Sequence, residues 1–444
     1  MNHDFLITVN NVNDALVNSL SLLQSSGKDK SIKNALGKNI KFKEVRPVLF
    51  EITDSRKHCL LLPHRFPNPF ALFSEGLWVL SGHNDVEFMS KFNSTLKLFS
   101  DDNTTYRAAY GDRLRRFRNH NQLQTNSITI DQIQNIINIF NKDNRTRQAT
   151  ASIWNPFLDN IGVKTKDTPC NDLLMFKIED DRLDLTVLNR SNDVFLGLWN
   201  VNIIQFSFIQ MMVAASINKR IGTYYHYTDS LHIYENWYEQ MYKVVDGYRN
   251  FENYYQVLER YSISYSSLYF KSDFNYPSFI RTLEQTMDWL LTRINRMQIS
   301  DEDSLKRVDA YLSSVFPHIE DVLKNESYMI KIGIEYIALY PLIKFIFYPE
   351  DVYGIRTGWF KEVKELLRFV LDKLLTDIIW CDWMIASIVF ILRKYYQFYD
   401  DKKESSDELF NDVIQKELFR LDNYDKEFIN NLLGVEIPNY KKIF

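Results

Sequence analysis

Cysteine is scarce in this chain and never paired: Cys59, Cys170 and Cys381 are its three thiols, odd in number, far apart and without a CxxC spacing. That argues against a structural zinc site and a disulfide framework, and points to a reducing compartment. A basic excess is lacking too. Fifty-three Lys and Arg stand against 57 Asp and Glu, for a formal net charge of -4 and a pI near 6.1, so neither nucleic acid nor an anionic membrane is an expected partner. A small anionic ligand is compatible with that balance. The N-terminus, MNHDFLITVNNVNDALVNSL, has no basic region ahead of an unbroken apolar stretch, so no secretory signal is expected. The most hydrophobic segments, Tyr328 to Tyr348 and Ile378 to Leu392, are interrupted by Lys331, Glu335 and Lys344 and by Asp382, so neither reads as a membrane span. A cytoplasmic location is the resulting expectation.

What the chain does have is apolar material, with 45% hydrophobic and 15% aromatic residues, enough for one large or two medium cores. The first 45 residues are rich in Asn, Ser and Lys, and GKDKSIKNALGKN reads as a loop or weak helix. Between Val45 and Leu62, VLFEI and CLLL predict two strands around a DSRK turn, after which FPNPF breaks the chain and a helix follows near Ala71 to Leu80. IDQIQNIINIF has helical spacing, with Asp131 placed at the positive end of the helix dipole. ATASIW, LLMFKI and LDLTVL predict short strands, and Ile203 to Ser216 a buried helix. Beyond about Gln240 long helical patterns take over. In WFKEVKELLRFVLDKLLTDIIW, Phe360, Val363, Leu367, Val370, Leu371, Leu374 and Ile378 share a face. Another helix is predicted from Ser278, just after Pro277, carrying Leu283, Met287, Leu290 and Ile294 inward, while DDKKESSDE reads as a solvated loop. The expected organisation is an N-terminal segment 1–45, an α+β domain 46–240 and an all-α domain 241–444.

Five short blocks carry chemistry: SEGLWVLSG (Ser74 to Gly82), AYGDRLR (Ala109 to Arg115), TPCN (Thr168 to Asn171), NRSNDVFLG (Asn189 to Gly197) and SLHIY, ending at Tyr234. Together, and in this order, they resemble the thymidylate synthase and pyrimidine hydroxymethylase family, whose patterns include Glu-x-x-Trp, Tyr-Gly, Pro-Cys, Arg-Ser-x-Asp and His-x-Tyr. The resemblance covers about residues 46 to 236. It implies a sheet-centred α+β fold that dimerises through its sheet, followed here by a helical region with no recognisable motif.

The chemistry agrees with the resemblance, because a pyrimidine becomes nucleophilic at C5 only after a thiolate adds to C6. A solitary cysteine is most often a small buried hydrophobe. The Pro-Cys context between two strand-like runs favours Cys170 as nucleophile instead, with Arg190 stabilising its thiolate. The resemblance makes Glu75 the carboxylate that assists proton movement at the ring, adds Tyr110 to the catalytic set, and places Trp78 and Asp193 on the folate, Asp193 as the pterin's hydrogen-bond partner. Arg190, Ser191 and Arg147 are the phosphate candidates, suited by guanidinium geometry. In the family an arginine pair comes from the neighbouring subunit; Arg147 aligns with its first member and Gln148 with its second, with Arg145 nearby in sequence. A further arginine before the Glu helix is sought among Arg46, Arg56 and Arg65, and Arg46 ranks first. His232 and Tyr234, alternating on a strand, match the sugar-binding pair, with Ser230 where many relatives carry aspartate.

Three departures matter. The base-reading asparagine of the family falls on Val201, flanked by Asn200 and Asn202, and a one-residue irregularity would present Asn202 instead; uracil against cytosine stays open. Asn171 replaces the usual histidine after the nucleophile, and it can hydrogen-bond but not titrate. No counterpart is recognised of the short closing tail with which typical synthases end. The leading expectation is a homodimer that methylates C5 of a deoxypyrimidine monophosphate, as in dUMP to dTMP, through a Cys170 adduct with 5,10-methylenetetrahydrofolate. Water capture would give hydroxymethylation instead. A third class is a nucleotide-sensing protein whose helical domain binds a protein partner.

Overall fold

The computed structural model describes residues 6–33, 38–118, 129–160, 164–260, 274–297, 304–324, 328–347, 360–376, 381–399 and 413–436. Contacts divide the chain into two compact units, one of Met1–Leu60, Ala71–Arg249 and Phe270–Arg281, the other of Leu61–Phe70, Asn250–Tyr269 and Thr282–Phe444.

In the first unit β1 (Leu6–Val9) leads into α1 (Val12–Ser26), capped by Asn11, whose side chain accepts from Asp14 N. Two strands follow, β2 (Lys28–Lys33) and β3 (Asn39–Val45), in the stretch where a loop or weak helix is expected. Cross-strand charge explains them: Lys30 pairs with Glu44, and Lys43 with Asp29 at 2.9 Å. After β4 (Val48–Ile52) comes the run Cys59 to Leu62, which is buried but makes no strand, forming only an isolated bridge from Leu62 to Arg65. Its apolar residues do not alternate and they pair with no ladder, so burial alone accounts for them.

Helix α2 (Pro69–Ser81) is followed by α3 (Val86–Phe92), α4 (Tyr110–Arg115), the ribbon β5 (Phe117–Arg118) and β6 (Thr129–Ile130), and α5 (Gln132–Lys142), capped by Asp131. A Cβ on Gly111 would stand 2.3 Å from Val79 O, so the Tyr-Gly pair is what lets α4 lie directly against α2. Next come β7 (Thr150–Ser152), α6 (Pro156–Asp159), β8 (Asn171–Glu179) and β9 (Arg182–Asn189), then β10 (Asn192–Asp193), a π-helix (Val194–Asn202) running into α7 (Ile203–Ser216), β11 (Arg220–Thr228), β12 (Leu231–Tyr234) and α8 (Tyr238–Tyr248).

The strands form a six-stranded sheet in the order β1-β4-β11-β9-β8-β7 and a four-stranded one in the order β10-β12-β3-β2. On β9, Leu183, Leu185 and Val187 are buried at period two. Every residue of α7 from Ile203 to Ala214 is buried. The segment Val194–Ser216 is long and apolar enough to cross a membrane, but 78% of its apolar window is inside the fold, where it serves as the core helix.

The second unit is helical. Its elements are α9 (Tyr254–Arg260), most of α10 (Tyr276–Arg296), α11 (Ser304–Leu323), α12 (Tyr328–Phe347), α13 (Phe360–Thr376), α14 (Cys381–Tyr399) and α15 (Asn423–Glu436). Leu283, Met287, Leu290 and Ile294 of α10 are buried as their spacing predicts, and so are Leu367, Val370, Leu371 and Leu374 of α13. Asp400 to Glu408 lies outside the described residues.

Candidate active site

One cavity of about 310 Å³ in the first unit gathers residues that the sequence scatters over 130 positions. Glu75 and Trp78 reach it from α2, Tyr110 from α4, Cys170 from the turn before β8, Ser191 and Asp193 from around β10, and Val201 and Asn202 from the end of the π-helix. Both Val201 and Asn202 line the wall, where this π-helix ends.

Cys170 stands where the ladder is irregular, since the β8–β9 register shifts between Asn171 and Leu173. Arg190 N donates to Cys170 O at 3.1 Å, Arg190 Nε donates to Pro169 O at 2.9 Å, and Nη2 lies 3.9 Å from Cys170 Sγ. The guanidinium also sits 5.8 Å over the Trp154 ring. Burial nevertheless pushes the Cys170 thiol up; the Arg190 charge pulls it down, and Asp167, Asp172 and Asp193 push it up again. At this thiol Arg190 therefore opposes a shift in which burial is the largest cause.

Glu75 lies midway along α2, not near its start. Burial raises its carboxyl to about 7, and a hydrogen bond from Gln205 opposes the rise, with Gln205 Nε2 donating to Glu75 Oε1 at 2.9 Å. A carboxyl that changes protonation near neutrality can both give and take a proton. The Tyr110 ring stacks on Phe206 at 5.9 Å, and burial holds its hydroxyl far above the usual range, so it acts as a neutral O–H. Trp78 Nε1 donates to Asp85 Oδ2 at 3.1 Å, which fixes the indole as an apolar wall.

Asp193 caps the π-helix, with Oδ1 accepting from Phe195 N at 2.8 Å and also from Leu196 N. His232 pairs with Asp193 through the backbone of β12 and β10, and packs edge-on against Phe42 and Tyr234. Burial lowers the His232 pKa while Asp193 raises it. Tyr234 is pushed up to about 12, first by burial and then by Asp193 and Cys170. Both residues thus lie within electrostatic reach of the cavity without lining it. Ser230 Oγ donates to Glu44.

The cationic candidates are more dispersed. Arg145, Arg147 and Gln148 are exposed on the turn after α5, away from the lining of their own chain's cavity. Arg46 is exposed and paired with Asp229 at 2.6 Å, Arg56 with Asp54 at 2.7 Å, and Arg65 is buried in the second unit. Asn171 turns from the cavity and donates to Asn189 across the β8–β9 pair.

Sequence reasoning did not identify Asp167, Tyr106, Asn192 or Gln205, all of which line the cavity. Asp167 Oδ2 accepts from Ala108 N at 2.8 Å, tying the Tyr-Gly turn to the Pro-Cys turn. Gln205 did leave a signal, since with Ser207 and Gln210 it is a polar residue inside a mostly apolar buried helix.

A folate also has a physical fit here. Asp193 supplies a carboxylate for polar N–H groups, and Trp78, Met89 and Leu96 supply apolar walls, with Phe99 and Leu196 at the rim, 44% and 47% exposed.

The thymidylate synthase family model matches residues 44–256. The chain is similar to the deoxyuridylate hydroxymethyltransferase of Bacillus phage SP01, 39% identical over 215 residues that cover 48% of this chain and 56% of that protein. It is also similar to proteins of the same name from Pseudomonas phage M6, 34% identical over 231 residues covering 52% and 62%, and Delftia phage PhiW-14, 30% identical over 261 residues covering 56% and 68%. The chain thus spans between about half and two thirds of the length of these relatives.

Proposed function

The chain belongs to the thymidylate synthase family, and from that premise we propose that it transfers a one-carbon unit to C5 of dUMP and releases the 5-hydroxymethyl product. The carrying observation is the convergence of Cys170, Glu75, Asp193 and Asn202 on one cavity. The names of the relatives favour the hydroxymethyl product over the methyl product that the sequence motifs put first.

Cys170 Sγ adds to C6 of the pyrimidine, and its proton is lost as the nucleotide binds. Tyr110 and Arg190 flank that sulfur and hold it against the ring. A bound 5,10-methylenetetrahydrofolate supplies the carbon as an electrophilic methylene. Glu75 sits at the carboxyl end of the Gln205 contact and moves protons at C5 and at the substituent on C4. As C5 takes that carbon and loses its proton toward Glu75, the bond from the carbon to the folate nitrogen would break and free tetrahydrofolate; water then enters past exposed Phe99 and Leu196, and its oxygen adds to the exocyclic methylene on the ring, its proton passing to solvent, as the Cys170–C6 bond breaks and its electron pair returns to Sγ. Arg190 and Ser191 hold the phosphate, joined by Arg147 from a second copy of the chain, and His232 and Tyr234 hold the sugar. Trp78 and Asp193, on the cavity wall, would hold the folate.

The test is the mass of the product from dUMP, and separately from dCMP, with 5,10-methylenetetrahydrofolate and the full chain. A hydroxymethyl product from dUMP is expected. A methyl product, lighter by one oxygen, overturns water capture but keeps the one-carbon transfer. Nucleotide binding with no product in either reaction overturns transfer and leaves a sensor.

A further inference from the structure

Tyr106 and Asp167 line the cavity beside the residues assigned to the pyrimidine and the folate, and no step of the transfer uses them. Tyr106 sits edge-on against Trp78, with ring centroids 5.8 Å apart, and its hydroxyl is buried with no hydrogen-bond partner among the described residues. A buried hydroxyl is costly to leave unmatched, so one that opens on a cavity marks a place for a ligand or a water. Asp167 commits one oxygen to the fold, Oδ2 accepting from Ala108 N at 2.8 Å, while its Oδ1 has no partner among the described residues.

Both groups are held by the backbone around them. Tyr106 N donates to Asn84 O at 2.7 Å, Asp167 N donates to Thr165 Oγ1 at 3.1 Å, and Lys166 N donates to Asp101 Oδ1 at 2.9 Å. Because Asp167 is tied to Ala108, two residues after Tyr106, the two side chains open on one stretch of wall. That stretch lies within electrostatic reach of the reacting groups. Burial first, and then the Glu75, Asp167 and Asp85 charges, hold the Tyr106 hydroxyl far above the usual range, so it keeps its proton and can donate. The Asp167 charge also acts on the Cys170 thiol and the Tyr110 hydroxyl. Burial raises Asp167 itself, against the Ala108 hydrogen bond and the Arg113 charge, toward a value at which a carboxylate takes up a proton readily.

We propose that the Tyr106 hydroxyl and the Asp167 carboxylate hold and activate the water that captures the exocyclic methylene at C5. The inference rests on the reading of the cavity as a site of water capture. Tyr106 O–H donates one hydrogen bond to that water and Asp167 Oδ1 accepts one from it, which leaves the water a lone pair for the carbon. As the oxygen bonds to the methylene carbon, Asp167 takes the proton and passes it on to solvent. The electron pair of the exocyclic double bond closes C5=C6, and the Cys170–C6 bond breaks with its pair returning to Sγ. Glu75 keeps the earlier proton transfers, so two buried carboxyls divide the reaction between them.

The experiment supplies a competing nucleophile. The full chain is incubated with dUMP, 5,10-methylenetetrahydrofolate and graded 2-mercaptoethanol, small enough to enter a cavity of about 310 Å³, and product masses give the ratio of thioether to hydroxymethyl product. Both products come from one methylene intermediate, so the ratio is blind to folded fraction, nucleotide binding and the transfer itself. Tyr106→Phe and Asp167→Asn are each expected to raise the ratio by about tenfold, because water loses its fixed place and its proton acceptor while the thiol does not depend on either. Glu75→Gln, which acts before capture, is expected to lower both products and keep the parent's ratio. If one of the two variants does not fold, the other carries the test. A ratio unchanged in either folded variant overturns the pair, and so does a ratio that moves in Glu75→Gln alone, which would give the water to Glu75. A parent that forms a methyl product, or none, overturns the proposed function itself.

Discussion

Both units bury polar side chains, and they use them differently. In the first unit a hydrogen-bonded line from Tyr224 through His226, Asn192 and Asn202 to Gln205 is open at one end, because its last donor serves the Glu75 carboxyl in the cavity. In the helical unit the polar contacts close on themselves. Tyr336 OH lies 3.0 Å from Trp383 O and 2.8 Å from Ser387 Oγ, Tyr255 OH donates to Asp382 at 3.0 Å, Tyr254 OH donates to Asp425 at 2.8 Å, and Tyr311 OH donates to Ala338 O at 3.0 Å. Such tyrosines satisfy each other's helices and fix their register. Buried polarity that reaches a cavity sets chemistry; buried polarity that ends on a neighbouring helix sets packing. Substitutions in the first class should cost turnover, and those in the second should cost stability alone.

The largest effect is expected at the nucleophile. Cys170→Ser should lower turnover by roughly a thousandfold or more while leaving the dUMP dissociation constant within about threefold. Product formation and calorimetry on one preparation check both halves. Turnover that survives would remove Cys170 from the chemistry and, with it, the proposed adduct.

Glu75→Gln comes next, with turnover expected to fall about a hundredfold. It also carries a stability signature. Burial raises Glu75 from 4.5 to about 7, so between those values the folded chain holds this proton more tightly than the unfolded chain does. The contribution of Glu75 is fully present below pH 4.5 and is lost as pH rises through 7. The glutamine variant escapes that loss. Its thermal midpoint should approach the parent's at pH 5 and exceed it at pH 8, by the equivalent of roughly 1–3 kcal/mol. An equal difference at both pH values would mean that Glu75 is not raised by burial.

In the helical unit Tyr336→Phe should cost about 1–2 kcal/mol of stability, because it leaves the Trp383 carbonyl and the Ser387 hydroxyl with fewer partners. Turnover of the folded protein should be unchanged. A loss of turnover at fixed folded fraction would break the contrast drawn between the two units.

Much of this contrast was legible in the sequence where local pattern determines structure. The span of α7, the start of α5 near Asp131, the strand at LDLTVL and the inward face of α10 follow from local pattern alone. Four of the five motif blocks likewise supply Glu75, Tyr110, Cys170, Ser191 and Asp193 to one cavity, while His232 and Tyr234 of the fifth stay outside its lining. What stayed hidden depends on distant partners. Strand β2 exists because Lys30 and Asp29 find Glu44 and Lys43 across a ladder, and Cys59 to Leu62 fails to be a strand because no ladder receives it. The line to Glu75 joins residues 75, 192, 202, 205, 224 and 226, and no local pattern announces that they meet. The upward push on the Cys170 thiol comes from burial and three carboxylates on segments distant in sequence, which the expectation of a thiolate stabilised by Arg190 did not include.

The smallest effect is expected at Arg46, where the two roles separate most cleanly. Its pair with Asp229 is exposed on both sides, so losing it should change stability by no more than about 0.5 kcal/mol. If Arg46 exchanges Asp229 for a substrate phosphate, it contributes the same attraction to the bound nucleotide and to the transition state. Arg46→Ala should then raise the KM for dUMP by about three- to tenfold with kcat unchanged, the mark of uniform binding. Asp229→Asn sharpens the point. It frees Arg46 from its resting partner and should lower KM, whereas a purely structural pair would give two variants with the parent's KM. That result would leave the phosphate to Arg190, Ser191 and the Arg147 of a second copy.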